Sequence, residues 1–311
     1  VGFDYDHAEP QHAHFPLVGM LVMTQMSVGM VTLASLARWV FGGVDADAAI
    51  AAGMLAGQAG LAVAPLHLGR PHLFFRAVVG WSHSWLSREA IVFGGYAAFS
   101  GGAATYAMLP LIEAYAPGFV TELLALALPG FARPGFELAS IVFGVLGVFC
   151  SAKIYEFTGR EFWLGLRTGL KFGGTPVVLG FAGLLAAASG TAAVMDHGMP
   201  IVLLAIATML ATAAKLAYEW SILRGPHDPT GSLRLTAMLH RGKLSKLSTA
   251  RVAAAALGGL LLPLVAAATG GYLSAGAALI GLACLTVGEL AERALYFSAV
   301  IPLRMPGGLK S

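Results

Sequence analysis

LHLGRPHLFFRAVVGWSHSWLSREAIV, residues 66–92, is the stretch on which the reading of this chain turns. It crowds histidines, arginines, tryptophans and an acid into a sequence that is otherwise apolar. It lies between two long uncharged runs, one ending near Leu66 and the other opening at Ala90. A polar island between two such runs reads as a membrane-surface loop with a short interfacial helix, carrying the polar end of a small-molecule site.

The composition around it demands a membrane. Of 311 residues, 57% are hydrophobic and 11% charged, and the mean hydropathy is +0.76. A soluble domain carries about 25% charged residues. A spanning helix needs roughly 20 apolar residues. The chain supplies eight such runs, at about 15–37, 48–66, 90–112, 134–155, 172–195, 199–218, 252–269 and 273–296. The sequence therefore predicts an all-α integral membrane protein, a single membrane domain over 1–311 with eight transmembrane helices in two four-helix bundles. The last two runs divide at GGY, residues 270–272, because the uncharged stretch there is too long for one span. Forty glycines suit close helix packing in lipid.

An even number of spans puts both termini on one side, and the basic residues say which. Seventeen Lys and Arg fall on the terminal side, against Arg38 and Arg133 alone on the other. By the positive-inside rule both termini and the 66–88 loop are cytoplasmic, in a bacterial inner membrane. The N-terminal VGFDYDHAEPQHAHFPL has no basic leader, so the first run is expected to remain as a span rather than to be cleaved. The basic loop from Arg224 to Arg251 reads as solvated, or as a contact for a soluble partner or anionic lipid. The outer segment from Ala114 to Arg133 is apolar and proline-bearing and suits the membrane surface.

The candidate chemistry is narrow. Acids at mid-depth mark ion paths. Here the near-membrane charges (Glu89, Lys153, Glu156, Lys215, Glu219, Glu289, Glu292 and Arg293) stand at span ends, which argues against a pump. None of the nine histidines is mid-span, so no haem is expected. Cys150 and Cys284 form no CxxC pair, so no metal or iron–sulfur site is expected in this chain. Electron transfer, if it occurs, then needs metal centres in a partner and a mobile carrier from the lipid. A quinone site wants hydrogen-bond donors for the ring carbonyls, a base for the protons and an apolar slot for the tail. His67, Glu89 and, between them, Trp81, His83 and Trp85 meet those needs. Each also has a plainer reading. Trp81 and Trp85 suit an interfacial belt, Arg70 and Arg76 ordinary inside charges, His72 and His83 solvent, and Glu89 the cap of span three.

HLGRP (67–71) and HSWLSRE (83–89) resemble the membrane-anchor subunit family of dimethyl sulfoxide reductase, as do KIYEFTGREFW (153–163) and the tail ERALYFSAVIPLRMPGG (292–308). The similarity runs along nearly the whole chain. It implies a quinone-reactive anchor holding an iron–sulfur subunit and a molybdopterin catalytic subunit on the cytoplasmic side, with no nucleic-acid partner. It implies that His67 and Glu89 serve quinone or quinol; on that reading Arg70, His83, Trp85, Arg88 and Tyr155 are expected to position the ring or tie the loop. The family spans dimethyl sulfoxide reduction and sulfite oxidation; the tail and the basic face lean toward sulfite. A passive anchor and a secondary transporter are the rival readings. For the transporter, the glycines at 94–95, 101–102 and 258–259 are candidate helix breaks.

Overall fold

The computed structural model describes residues 9–41, 44–67, 76, 78–194, 200–224 and 231–301, and every regular element among them is helical. In chain order these are α1 (Phe15–Phe41), α2 (Val44–Val63) with a 3-10 turn (Ala64–His67), α3 (Trp85–Tyr115), α4 (Gly118–Ala127) and α5 (Arg133–Glu156). They continue with α6 (Leu166–Ala192), α7 (Ile201–Arg224), α8 (Ser232–Arg241), α9 (Ser245–Ala256), α10 (Leu262–Ala268) and α11 (Gly271–Ser298). A π-helical turn (Leu257–Leu261) joins α9 to α10 into one continuous rod.

Among the described residues, seven helices are long and apolar enough to cross a membrane: α1, α2, α5, α6, α7, α9–α10 and α11. The eighth long helix, α3, has 31 residues but is diluted by Gly94, Gly95, Ser100, Gly101, Gly102 and Thr105. Its length suffices and its apolar density falls short of the other seven.

Helices α1, α2, α3 and α5 pack on one another, as do α6, α7, α9–α10 and α11, and α1 lies along α6 to join the two groups. Small residues permit that join. A Cβ on Gly29 of α1 would stand 1.9 Å from the backbone oxygen of Pro176 in α6, closer than any atom can approach. Gly29→Leu is therefore expected to force α1 and α6 apart and to abolish accumulation of folded protein in the membrane. Gly19→Leu, in open space on the same helix, should be tolerated; fluorescence-detected size exclusion compares the two. The glycines 95, 102, 258 and 259 have a similar account, for each faces a neighbouring side chain or backbone across a helix contact. They sit where helices touch.

The ends of the chain's helical body meet. The Gln11 N–H donates to the Ser298 carbonyl at 2.9 Å, so the entry to α1 lies beside the exit of α11. At the far end of α1, Glu137 of α5 gathers both arginines that the sequence puts on the sparse side. Arg38 donates to it through Nε (2.8 Å) and Nη2 (2.6 Å), Arg133 through Nε (2.9 Å) and Trp39 through Nε1 (2.6 Å). Arg133 also pairs with Asp47 of α2.

Several boundaries differ from those the sequence predicts. α1 runs on through Phe41 because Arg38 and Trp39 are drawn onto Glu137. α3 begins at Trp85 rather than Ala90, because the Ser84 side chain accepts a hydrogen bond from the Ser87 N–H and caps the helix. Glu89 is thus in the second turn, not at the cap. Residues 79–83 form turns; most of the preceding loop, in which a short interfacial helix is expected, lies outside the described residues. α6 begins six residues before the apolar run, at Leu166, and α7 continues to Arg224. The segment expected to be a solvated basic loop contains α8, which buries Leu233, Leu235, Thr236 and Leu239 on one face. The segment 114–133, expected to lie along the membrane surface, carries α4, whose Phe119, Leu123 and Leu126 are exposed.

Candidate functional site

A cavity of about 400 Å³ opens between α1, α2, α3 and α5 at the end where the chain enters α1. Leu17, Met20 and Thr24 of α1 form one wall. Leu61, Ala64 and Pro65 form a second, and Leu86, Glu89, Ala90, Phe93 and Gly94 of α3 a third. Ile154 and Tyr155 of α5 close it. The surface is overwhelmingly hydrocarbon, with polar groups from Thr24, Glu89 and Tyr155. Few polar groups set in an apolar slot is the usual design of a small-molecule site.

Among the described residues, Glu89 is the one carboxyl in the cavity lining. Its side chain is buried, 7% exposed. The Ser151 hydroxyl of α5 donates to its carboxyl, and no cation pairs with it among the described residues. A carboxyl in this setting is oriented by its neighbour without being locked to a charge, so it is able to exchange a proton. Tyr155 stands four residues beyond Ser151, on the same face of α5. Its ring is clamped by Trp163, Phe172, Tyr296 and Phe297, with centroids 5.2–5.8 Å away. That clamp fixes the cavity wall on the side facing α6 and α11.

The structure brings two of the sequence-predicted site residues, Glu89 and Tyr155, into one cavity. His67 ends the 3-10 turn whose Ala64 and Pro65 line it, which puts the His67 backbone next to the cavity; its side chain is outside the described residues, as is Arg70. Arg88 turns away. It donates to the carbonyls of Trp81 (2.9 Å) and Ser82 (2.8 Å), and its guanidinium lies 4.5 Å over the Trp85 ring. Arg88 thus ties the preceding turn to α3, and adjacent Arg88 and Glu89 serve different faces, as 100° per residue requires. Trp85 packs edge-on against Phe149 at 6.0 Å, and His83 is exposed in the turn. Neither lines the cavity.

Sequence reasoning did not single out Ser151 or the α1 wall. Ser151 had a signal: a hydroxyl four residues before Tyr155 shares its face. Thr24 and Met20 had none, because which face of α1 meets α3 is set by packing across the fold.

Sequence reasoning also left the span-end charges unconnected, and the structure joins five of them, Lys215, Glu219, Glu289, Glu292 and Arg293, with Lys171 and Arg251 in the second helix group. Lys171 bonds Glu292 at 2.9 Å. Lys215 pairs with Glu289, which also accepts from Thr175 at 2.7 Å and from Arg251 at 3.0 Å. Arg251 reaches Glu219 at 3.0 Å, and Arg293 donates to Gln25 of α1 at 2.9 Å. Arg293 and Glu289 are fully buried. Buried charges survive only when paired and hydrogen-bonded, which this arrangement achieves. These side chains are well inside the helices, where the sequence alone puts them at span ends. No protein-family model matches this sequence, and no curated protein matches it either.

Proposed function

We propose that this chain is the quinone-reactive membrane anchor of a three-subunit molybdopterin iron–sulfur oxidoreductase. The observation that carries the reading is the buried carboxyl of Glu89, without a cation partner among the described residues, in the wall of an apolar cavity of about 400 Å³. The residues fit a quinone. The volume is within the ordinary range for small-molecule sites, and the walls suit both a ring and the start of an isoprenoid tail. The resemblance of HLGRP and HSWLSRE to the dimethyl sulfoxide reductase anchor family names the same region.

A bound quinol supplies two electrons and two protons. Glu89 accepts a proton from a ring hydroxyl, and Ser151 holds the carboxyl at the angle that receives it. His67, on the adjoining turn, is the second proton acceptor. Leu17, Met20, Leu61 and Phe93 exclude water and hold the tail. An iron–sulfur cluster in a docked partner would take up or supply the electrons, while the residues of this chain hold the ring and handle the protons. In the reverse direction Glu89 and His67 return protons. Sulfite is the favoured substrate of the catalytic partner, and dimethyl sulfoxide reduction is the alternative.

In this reading α3 is the eighth span, and both termini and the cavity mouth face the bacterial cytoplasm. The contact between Gln11 and Ser298 supports it, because ends that meet require an even number of crossings. The segregation of seventeen basic residues to that side supports it too.

A pull-down from native membranes with this chain as bait tests the proposal. Molybdenum, iron and quinone in fixed ratio to the chain are expected, and sulfite and dimethyl sulfoxide assays then assign direction. A chain that purifies alone, without metal, and moves solute in proteoliposomes would overturn it in favour of a transporter. A metal-bearing complex without quinone would make the chain a passive anchor.

A further inference from the structure

A second cavity, about 170 Å³, lies at the same end of the molecule between α7, α8 and α9, over Lys171 of α6 and Glu292 of α11. The quinone reading makes no use of it. Its charges are unbalanced. Lys171, Arg224, Arg241 and Arg251 face Glu219 and Glu292, an excess of two positive charges. Arg251 engages Glu219, and Lys171 engages Glu292 through Oε1, leaving the buried Glu292 Oε2 without a hydrogen-bond partner.

Three observations point to an anion-binding role for this cavity. Arg251 is 3% exposed, and its Nη1 is buried without a hydrogen-bond partner, although Nε and Nη2 are fully used. His240 bonds Ser248 through Nδ1 at 3.0 Å and leaves a buried Nε2 with no partner. Burial, with Lys171 beside it, pushes the His240 pKa down to about 4, so the ring is neutral at pH 7 and able to donate one N–H. Arg241 and Arg224 stand at the rim. Arg224 stacks 4.7 Å over Trp220, and neither arginine has a carboxylate partner among the described residues. A buried, fixed guanidinium with two more at the rim matches the tetrahedral, multiply accepting oxygens of a phosphate.

We propose that this cavity is a binding site for a phosphate group, held by Arg251, Arg241 and Arg224 beneath α8. The surrounding surface favours the phosphodiester of an anionic phospholipid as its source. Trp220 and Val252 lie at the rim and are exposed on α7 and α9, two helices apolar enough to span the membrane. Acyl chains run down that face while the headgroup seats under α8, so the lipid pins the amphipathic helix to the membrane surface.

The test uses the purified full chain and the double variant Arg224→Gln/Arg241→Gln, which leaves the buried charge network intact. In native mass spectrometry from mixed micelles, the wild type is expected to retain one phosphatidylglycerol in preference to phosphatidylcholine. The variant should hold it about tenfold more weakly, as loss of charge-assisted contacts requires. Arg160→Gln/Lys246→Gln, changing basic residues outside the cavity, should bind like the wild type. A thermal shift with inorganic phosphate, present in the wild type and absent in the Arg224/Arg241 variant, with no lipid preference, would assign the site to free phosphate. Equal lipid retention in all three proteins together with no phosphate shift would overturn the proposal. None of these readouts depends on quinone turnover, so this site and the quinone site stand or fall separately.

Discussion

Glu89→Gln is expected to cut quinone-linked turnover of the assembled complex by about 10²-fold or more, the usual scale for losing a positioned proton acceptor. The change preserves side-chain volume and still offers Ser151 a carbonyl oxygen, so the cavity and the fold should persist. Only proton exchange is lost. Quinone binding should remain, and activity with an artificial electron donor or acceptor, which bypasses the quinone, should be normal. Ser151→Ala leaves the carboxyl in place without its orienting donor, so its effect should be smaller. Arg88→Gln should act differently again. It frees the turn at Trp81 and Ser82 and should weaken partner docking or local order rather than the proton step. Steady-state rates with quinone analogues, beside the artificial couple, separate these cases. Full quinone-linked turnover in Glu89→Gln would remove Glu89 from the mechanism.

Glu289→Ala should cost about 3–5 kcal/mol of stability, the scale on which breaking one partner of a buried ion pair acts. Glu289 is wholly buried and receives Lys215, Thr175 and Arg251 together. Without it, Lys215 and Arg251 share only Glu219, which stands 3.9 Å from the Lys215 nitrogen. The variant is expected to accumulate poorly and to melt far below the wild type in detergent. The double change Glu289→Leu/Lys215→Met removes both charges and should recover part of the loss, since a well-packed apolar pair often equals a buried ion pair. Glu9→Gln, at an exposed pair with Lys243, should change stability by less than about 1 kcal/mol. A melt of Glu289→Ala that matched Glu9→Gln would show that the buried network contributes nothing.

The contrast between these two sites explains what could be read from the amino-acid order. Spans are legible because burial in lipid acts on every residue of a run, so most of α1 and α11 follows from the uncharged stretches 15–37 and 270–288. Their ends are less legible, because partners distant in sequence decide them. Glu137 extends α1 through Trp39, and Lys171 is carried into α6 by Glu292 from α11. α8 hid for a related reason: Leu233, Thr236 and Leu239 recur at helical spacing, but Arg234, His240 and Arg241 make the segment read as solvated. At the cavity, Glu89 was legible as the one acid among the histidines and tryptophans of 66–92, and Tyr155 through a resemblance. Ser151, Thr24 and Met20 belong to apolar runs, and only the crossing of α1, α3 and α5 brings them to the same space.

The most direct test of the central claim is photoaffinity labelling of the native complex with an azidoquinone, followed by mapping of the labelled peptides. The account predicts label on the walls around Glu89, in peptides of α1, α3 and α5 that contain Met20, Phe93 and Tyr155, protected by excess quinone. It also predicts that filling the cavity with Ala64→Trp removes the label. Label confined to other helices, or label on these walls that neither excess quinone nor Ala64→Trp diminishes, would contradict it.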